Sequence, residues 1–201
     1  MEKEKKIFLI TESIIYILFI IFDLIGMNSS YLKYTGILLC LFYHICKKNR
    51  IFSCAFFFTA FADLFLLVLD DHYEIGVTSF IAVQLIYFFY LKKDCKTYIN
   101  LRIGSFIGIL IGFYMTGNIS LLNLLTAFYF VNLVFNLLSS LSNPDKKVMS
   151  IGLFLFMCCD ICVGLFNILS YGRTYEIVSF MMWVFYLPSQ VLISLSADMK
   201  G

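Results

Sequence analysis

An all-α, polytopic membrane protein is the fold this chain predicts, and three observations predict it. Of its residues 61% are hydrophobic and only 14% charged, against about 25% charged in an average soluble domain. The charges gather in short clusters between apolar runs of membrane-spanning length, the signature of buried helices in lipid. The clusters also alternate in basic content, which orders the runs into a bundle of eight spans with both termini cytoplasmic.

The spans follow one another with short polar breaks. The first, residues 7–27, is preceded by Lys3, Lys5 and Lys6; it is too long for a signal-peptide core and lacks a small-x-small cleavage site, so it reads as a helix. The second, 31–46, is short, starts near Lys33 and stops at Lys47, Lys48 and Arg50, with His44 at its interfacial end. The third, 51–69, carries Asp63, and the fourth, 75–91, carries Gln84 and Tyr87 before Lys92, Lys93 and Lys96. The fifth, 98–115, opens near Arg102, and the sixth, 119–141, is long and holds Asn123, Asn132 and Asn136 ahead of Lys146 and Lys147. The seventh, 148–170, carries Asp160 and Asn167; the eighth, 175–196, carries Tyr186, Pro188 and Gln190, with Lys200 beyond it. Unequal lengths in a layer about 30 Å thick imply unequal tilts.

Thirteen of the fifteen basic residues fall on one side of this arrangement, leaving Lys33 and Arg173 on the other, and the positive-inside rule assigns the rich side to the cytoplasm. No linker or low-complexity tract divides the chain, so residues 1–201 read as a single transmembrane domain. A weak duplication runs through it. Asp63 leads by way of Tyr73-Glu74-Ile75 to Ser79-Phe80, and Asp160 by way of Tyr175-Glu176-Ile177 to Ser179-Phe180; this suggests a parallel 4+4 repeat of the kind found in transporters and other bundles.

Seven cysteines, six of them inside apolar spans, do not make a disulfide framework. The run Cys158-Cys159-Asp160-x-Cys162 has soft ligands but no histidine near it, so small core residues are expected and no metal or cofactor is assigned. Most of the tyrosines and phenylalanines are expected at lipid-facing and interfacial positions.

The costly residues are the informative ones. Asp63 lies twelve residues after Ile51, and Asp160 twelve after Val148, which sets both about 18 Å into the bilayer. An acid there costs about 2.5–3.5 kcal/mol on insertion scales and is normally turned inward and used. Two at one level suggest a shared polar chamber between spans three and seven. A structural acid bonded between helices is the alternative. Gln84 and Gln190 can each donate and accept, to orient a headgroup or water or to join helices. Tyr87 and Tyr186 lie within four residues of those glutamines and can bond into the same cavity. Pro188 frees a backbone carbonyl. Asn132 and Asn136, four apart on one face, are expected to fasten helices, and Lys33 to meet a lipid phosphate or to snorkel.

At Ala62-Asp63-Leu64-Phe65-Leu66-Leu67, Phe80-x-x-x-Gln84-Leu85-Ile86-Tyr87, Cys159-Asp160 and Tyr186-x-x-x-Gln190-x-Leu192-Ile193 the chain resembles the YhhN-like, or lysoplasmalogenase, family of integral membrane proteins, from about Lys33 to Ser196. It departs from that family's pattern at Ala62, where glycine is usual, at Cys159, where serine is common, and at Gln84, where histidine is frequent. The resemblance implies hydrolysis of the vinyl ether bond of a lysoplasmalogen to a fatty aldehyde and a glycerophospho-ethanolamine or -choline. Asp63 and Asp160 would be the catalytic acid and base, and Gln84, Gln190, Tyr87, Tyr186 and Lys33 the substrate contacts. The expected partners are a lysophospholipid and membrane lipid, and the expected location a bacterial cell membrane. A proton-coupled carrier of small molecules or lipid, or a lipid-binding relative without catalysis, fits the same residues. No basic face or phosphate-cradling glycine loop points to nucleic acid or nucleotide. Headgroup preference and oligomeric state are not written in the sequence.

Overall fold

The computed structural model describes residues 2–169 and 172–199; Lys200 and Ser170, the last residue of the seventh expected span, lie outside the described residues. Eight helices follow the eight apolar runs: α1 (Glu2–Leu24), α2 (Ser30–Cys46), α3 (Arg50–Asp63), α4 (Tyr73–Leu91), α5 (Ile99–Thr116), α6 (Leu121–Leu141), α7 (Lys147–Ile168) and α8 (Arg173–Ser196). Among the described residues seven helical spans are long and apolar enough to cross a membrane, α3 being one of them when continued through Leu64–Leu69. The exception is α2, whose seventeen residues rise only about 26 Å, at the short end of what spans a bilayer.

Local chemistry marks the ends. The side chains of Asn49 and Ser120 accept from the backbone N–H of Phe52 and Asn123, capping α3 and α6 in the manner such residues favour. Gly117 closes α5 with φ +69°, a left-handed turn that costs glycine nothing. The third run departs from the expected single α-helix. It is α-helical to Asp63 and then a π-helix over Leu64–Leu69, ending at Asp70 with φ 52°.

Helix adjacency defines the architecture. Packing runs from α2 to α3, α4, α6, α7 and α8 and back to α2, a closed ring of six; α1 lies in the notch between α2 and α8, and α5 packs on α6. The ring interior is aromatic and aliphatic, with Phe52, Phe56, Tyr87, Leu133, Met149 and Phe156 fully enclosed. Tyr186 is buried, as expected of a tyrosine turned to the interior, and Tyr43, Tyr90 and Tyr129 are buried too, so aromatics expected at lipid-facing or interfacial positions are in the core, where their bulk fills gaps between helices. The outer surface carries exposed Ile10, Phe57, Ile103, Ile107, Phe154 and Ile161, as a surface solvated by hydrocarbon requires.

The closest packing is between α7 and α8. A Cβ on Gly152 would stand 2.7 Å from Ile193 Cγ1 and 3.0 Å from both the Ser189 carbonyl oxygen and the Ile193 nitrogen, so backbone as well as a side chain would have to yield. Gly152→Ala is therefore expected to lower stability by about 1–3 kcal/mol. Gly108→Ala, with open space around its site, should leave the melting temperature unchanged or raised. Thermal melts of the two purified variants in detergent check the contrast.

Candidate functional site

Asp63 and Asp160 each stand about 20 Å along their helices from the first residues, Arg50 and Lys147. Each carboxylate accepts a hydrogen bond from a tyrosine on another helix. Tyr186 of α8 donates to Asp63 Oδ2 at 2.7 Å, and Tyr129 of α6 donates to Asp160 Oδ2 at 2.6 Å. In both cases Oδ1 is not the acceptor of that bond. Asp63 is buried and Asp160 partly buried.

The acids do not meet directly across α3 and α7, which are not among the extensively packed helix pairs. They meet through the tyrosines. The Phe156 ring lies 5.6 Å from that of Tyr186 and 6.4 Å from that of Tyr129, with Phe80 5.7 Å from both Phe156 and Tyr129. Both carboxylates are close enough to act electrostatically on Tyr129 and on Cys159, and Asp63 also acts on Tyr34 of α2. The two acids are thus the ends of a row of packed side chains, Asp63–Tyr186–Phe156–Tyr129–Asp160, whose middle is aromatic. Its two ends differ, because the tyrosines come from α8 and α6, which the internal echo does not relate to one another. The backbone turns π-helical directly after Asp63 but stays α-helical past Asp160. Insertions of this kind are frequent at functional sites.

From this row toward the basic end of the bundle runs a band of polar side chains. Gln84 is fully buried; its Oε1 and its main-chain carbonyl both accept from Asn136 Nδ2, at 2.9 and 2.8 Å. Tyr87 stands one turn further along α4 against Phe52, and Gln190 donates weakly to Ser189 Oγ at 3.4 Å. Gln84 Nε2, the Tyr87 hydroxyl and Gln190 Oε1 have no hydrogen-bond partner among the described residues. Buried groups of this kind normally do, so these three are free to receive a ligand or water.

Lys33 sits apart from that band. Its ammonium is 2.8 Å from Asp23 Oδ2 and lies 4.6 Å over the Trp183 ring, and Trp183 packs edge-on against Tyr186 at 5.6 Å. Asp23 also accepts from Ser29 Oγ. The expected free, snorkelling lysine is therefore a buried, ion-paired one, because Asp23 and the aromatic face supply what lipid phosphate would have supplied. His44, expected at the interface, is fully buried and bonds Ser194 Oγ through Nε2 at 2.8 Å.

Arg102 is also relocated. Expected among the interfacial cations, it instead turns inward from α5 and is only 8% exposed. It donates to the Thr97 carbonyl, to Asn132 Oδ1 at 3.0 Å, to Asn136 Oδ1 at 2.9 Å and to Ser139 Oγ at 3.3 Å. The asparagines thus fasten helices as their spacing predicts, with Asn136 joining Arg102 on one side to Gln84 on the other. Among the described residues no cluster of three or more His, Cys, Asp or Glu side chains is placed to hold a metal ion.

Sequence reasoning misses Tyr129, Tyr34 and Glu12. Tyr129 stands three residues before Asn132, so helical spacing offers a cue; Glu12 stands in a polar triplet, Thr11-Glu12-Ser13, inside an apolar run. Tyr34 offers no distinguishing signal.

The fold and the two acids define a class: a multi-helix integral membrane protein with two tyrosine-bonded carboxylates set among its helices. Within that class the chain belongs to the YhhN family, whose sequence model matches residues 28–197. The match takes in α2 through α8 and leaves α1 before it. No curated protein and no solved structure matches the chain.

Removing Asn136 should be felt across this network. Asn136→Leu leaves the Arg102 guanidinium and the Gln84 side chain short of partners and is expected to cost about 2–4 kcal/mol, whereas Asn123→Leu at the exposed end of the same helix should stay within about 0.5 kcal/mol of the parent protein. Comparative thermal unfolding in detergent reads the difference.

Proposed function

We propose that this chain is a lysoplasmalogenase-type hydrolase that cleaves the vinyl ether bond of a single-chain alkenyl glycerophospholipid. The observation that carries the reading is the pair of aspartates, each held by a tyrosine of another helix, inside a bundle of membrane-length helices. Membership of a family that includes lysoplasmalogenases supports it.

The chemistry needs no more than the chamber's own groups. One aspartic acid protonates the vinyl carbon remote from the ether oxygen, leaving an oxocarbenium ion at the carbon bonded to that oxygen. The second carboxylate, with the faces of Phe156, Tyr129 and Tyr186, stabilises the cation. That carboxylate then takes a proton from water as the water oxygen bonds to the cationic carbon. The resulting hemiacetal gives its hydroxyl proton to the first aspartate, now a carboxylate, as its alkoxy group leaves and takes the proton the second aspartate gained from water; this yields the fatty aldehyde and the glycerol hydroxyl of the polar product and restores both carboxyl groups. Each tyrosine occupies one carboxylate oxygen and fixes its rotamer, leaving the other oxygen for substrate. A carboxyl pair whose surroundings differ is suited to dividing acid and base roles.

Gln84, Tyr87 and Gln190 are assigned the glycerol and headgroup oxygens, since their unmatched donors and acceptor lie in the band next to the acids. Lys33 would border the chamber through Trp183. In this reading residues 1–201 form one domain, α2 is the eighth span, both termini are cytoplasmic, and the 4+4 echo is a remnant of duplication.

Purified protein supplied with an alkenyl lysophosphoethanolamine should release fatty aldehyde without any ion gradient. Asp63→Asn and Asp160→Asn should each lower the rate by about 10²–10⁴ while melting as the parent does. Tyr129→Phe and Tyr186→Phe should lower it by about tenfold to a hundredfold, the worth of one hydrogen bond to a charged group. Full activity in both aspartate variants sinks the mechanism. Solute movement in liposomes driven by a pH difference, with no aldehyde formed, indicates a carrier; lipid bound without turnover indicates a non-catalytic relative.

A further inference from the structure

A third acid lies within the membrane, away from the chamber. Glu12 stands about 15 Å along α1 from Glu2, and its side chain is only 3% exposed. Its Oε1 receives no more than a weak thiol contact from Cys40 at 3.6 Å, and Oε2 has no hydrogen-bond partner among the described residues. Room for it is made by Gly36, where a Cβ would come 3.2 Å from Oε2.

Glu12 also lines a cavity of about 340 Å³ between α1 and α8, whose other walls include Ser13, Tyr16, Leu187, Pro188 and Val191. The volume falls at the lower end of the range for small-molecule sites, and an apolar cleft with one or two fixed polar groups is what such sites are made of. The Tyr16 hydroxyl is already committed. Pro188 cannot donate to the carbonyl of Val184, and that hydroxyl bonds the carbonyl at 3.3 Å. This holds α1 against α8 at the turn that contains Pro188 and leaves Glu12 as the buried side chain with an unmatched oxygen on this wall.

We propose that the α1–α8 cleft is a second lipid site, separate from the aspartate chamber, that binds a single-chain lipid with an uncharged oxygen head, a long-chain alcohol or aldehyde, through Glu12. Size selects one alkyl chain. Depth selects an uncharged head, since a cation drawn to this level loses far more solvation than a hydroxyl or carbonyl does. Apart from Glu12 and the hydroxyl of exposed Ser13, the walls offer a cation only apolar contacts and the Tyr16 ring. A carboxyl group can serve either head, accepting from a hydroxyl or, as the acid, donating to a carbonyl. The site draws on α1 and α8 residues to which the hydrolysis assigns no role, so it stands independently of the hydrolase reading.

The full-length protein in phosphatidylcholine nanodiscs, photolabelled with a hexadecanol carrying a mid-chain diazirine, tests this by peptide mapping. Expected are saturable adducts on the α1 and α8 residues of the cleft, displaced by unlabelled hexadecanol; displacement by hexadecanal as well identifies the aldehyde as a ligand, and its failure to displace restricts the site to alcohols. Glu12→Gln, which keeps a donor and an acceptor, should retain labelling. Glu12→Leu should weaken it about fivefold to tenfold, the worth of one hydrogen bond. Val191→Phe, which fills the cleft without touching Glu12, should abolish it and covers the case in which Glu12→Leu does not fold. Labelling spread equally onto the exposed isoleucines of α5, or unchanged in Val191→Phe, overturns the proposal. So does preferential labelling by an alkyl-trimethylammonium diazirine that Glu12→Gln abolishes, since that is the behaviour of a cation site. Aldehyde release from lysophospholipid by the same variants is scored separately, so a silent chamber and an empty cleft give different results.

Discussion

A carboxyl group set in hydrocarbon has no water to bond, and much of this structure is decided by where its intramembrane acids find their partners. Asp63 on α3 reaches Tyr186 on α8, and Asp160 on α7 reaches Tyr129 on α6. The first bond crosses the ring of helices and the second joins neighbours within it, so the two together tie four of its six members to fixed positions. An unmet buried polar group costs about 1–3 kcal/mol or more, and each of these bonds offsets such a penalty while deciding which face of each helix turns inward. The aromatic row between them is a consequence: once both tyrosines point inward, Phe156 is the ring that fills the space separating them.

The same rule explains the cations. Arg102 and Lys33 sit near the ends of their helices' apolar runs, and neither is left to reach for lipid. Lys33 neutralises Asp23 under the face of Trp183. Arg102 has no ion pair among the described residues and is instead surrounded by carbonyl and amide oxygens of Thr97, Asn132 and Asn136, with Phe88 against its guanidinium plane at 4.8 Å. A guanidinium is weakly enough hydrated to accept that exchange, where an ammonium would not. Through it α5, which otherwise presents almost its whole surface outward, is fixed to the bundle near its first turn.

Hydropathy makes the helices legible, because a run without charges has few other ways to exist, and it makes Asp63 and Asp160 legible for the same reason. What hydropathy hides is orientation. Tyr186 is marked out by its spacing from Gln190, but Tyr129 is one of thirteen tyrosines, and nothing in composition separates those facing lipid from those holding a carboxylate. Arg102 and His44 lie where interfacial residues lie, and only the azimuth of their helices turns them inward. Glu12 escapes notice because its neighbours Thr11 and Ser13 make it look like part of a polar break, yet Thr11 merely bonds its own helix at the Ile7 carbonyl while Glu12 faces the cleft. The π-helical stretch is illegible for a different reason: Leu64–Leu69 is as apolar as any α-helical run, and the pattern that would betray an inserted residue is absent when every position is hydrophobic.

That stretch bears on why two acids so alike in sequence position end up unlike in setting. A π-helical turn accommodates an extra residue per turn and re-aims the side chains beyond it, and it persists only where neighbours hold it. Here Gly76 of α4 provides the space, since any Cβ there would stand 2.4 Å from Leu66 Cγ. Asp63 is therefore positioned at the junction of two helical geometries and enclosed, whereas Asp160 sits within an unbroken α-helix and is only partly buried. The difference comes from backbone and packing on α3 and α4, not from the residues flanking each acid. Two carboxyls used, as proposed, for one proton transfer and one charge stabilisation need unequal surroundings, and a change in the helix that carries one of them supplies the difference without altering either aspartate.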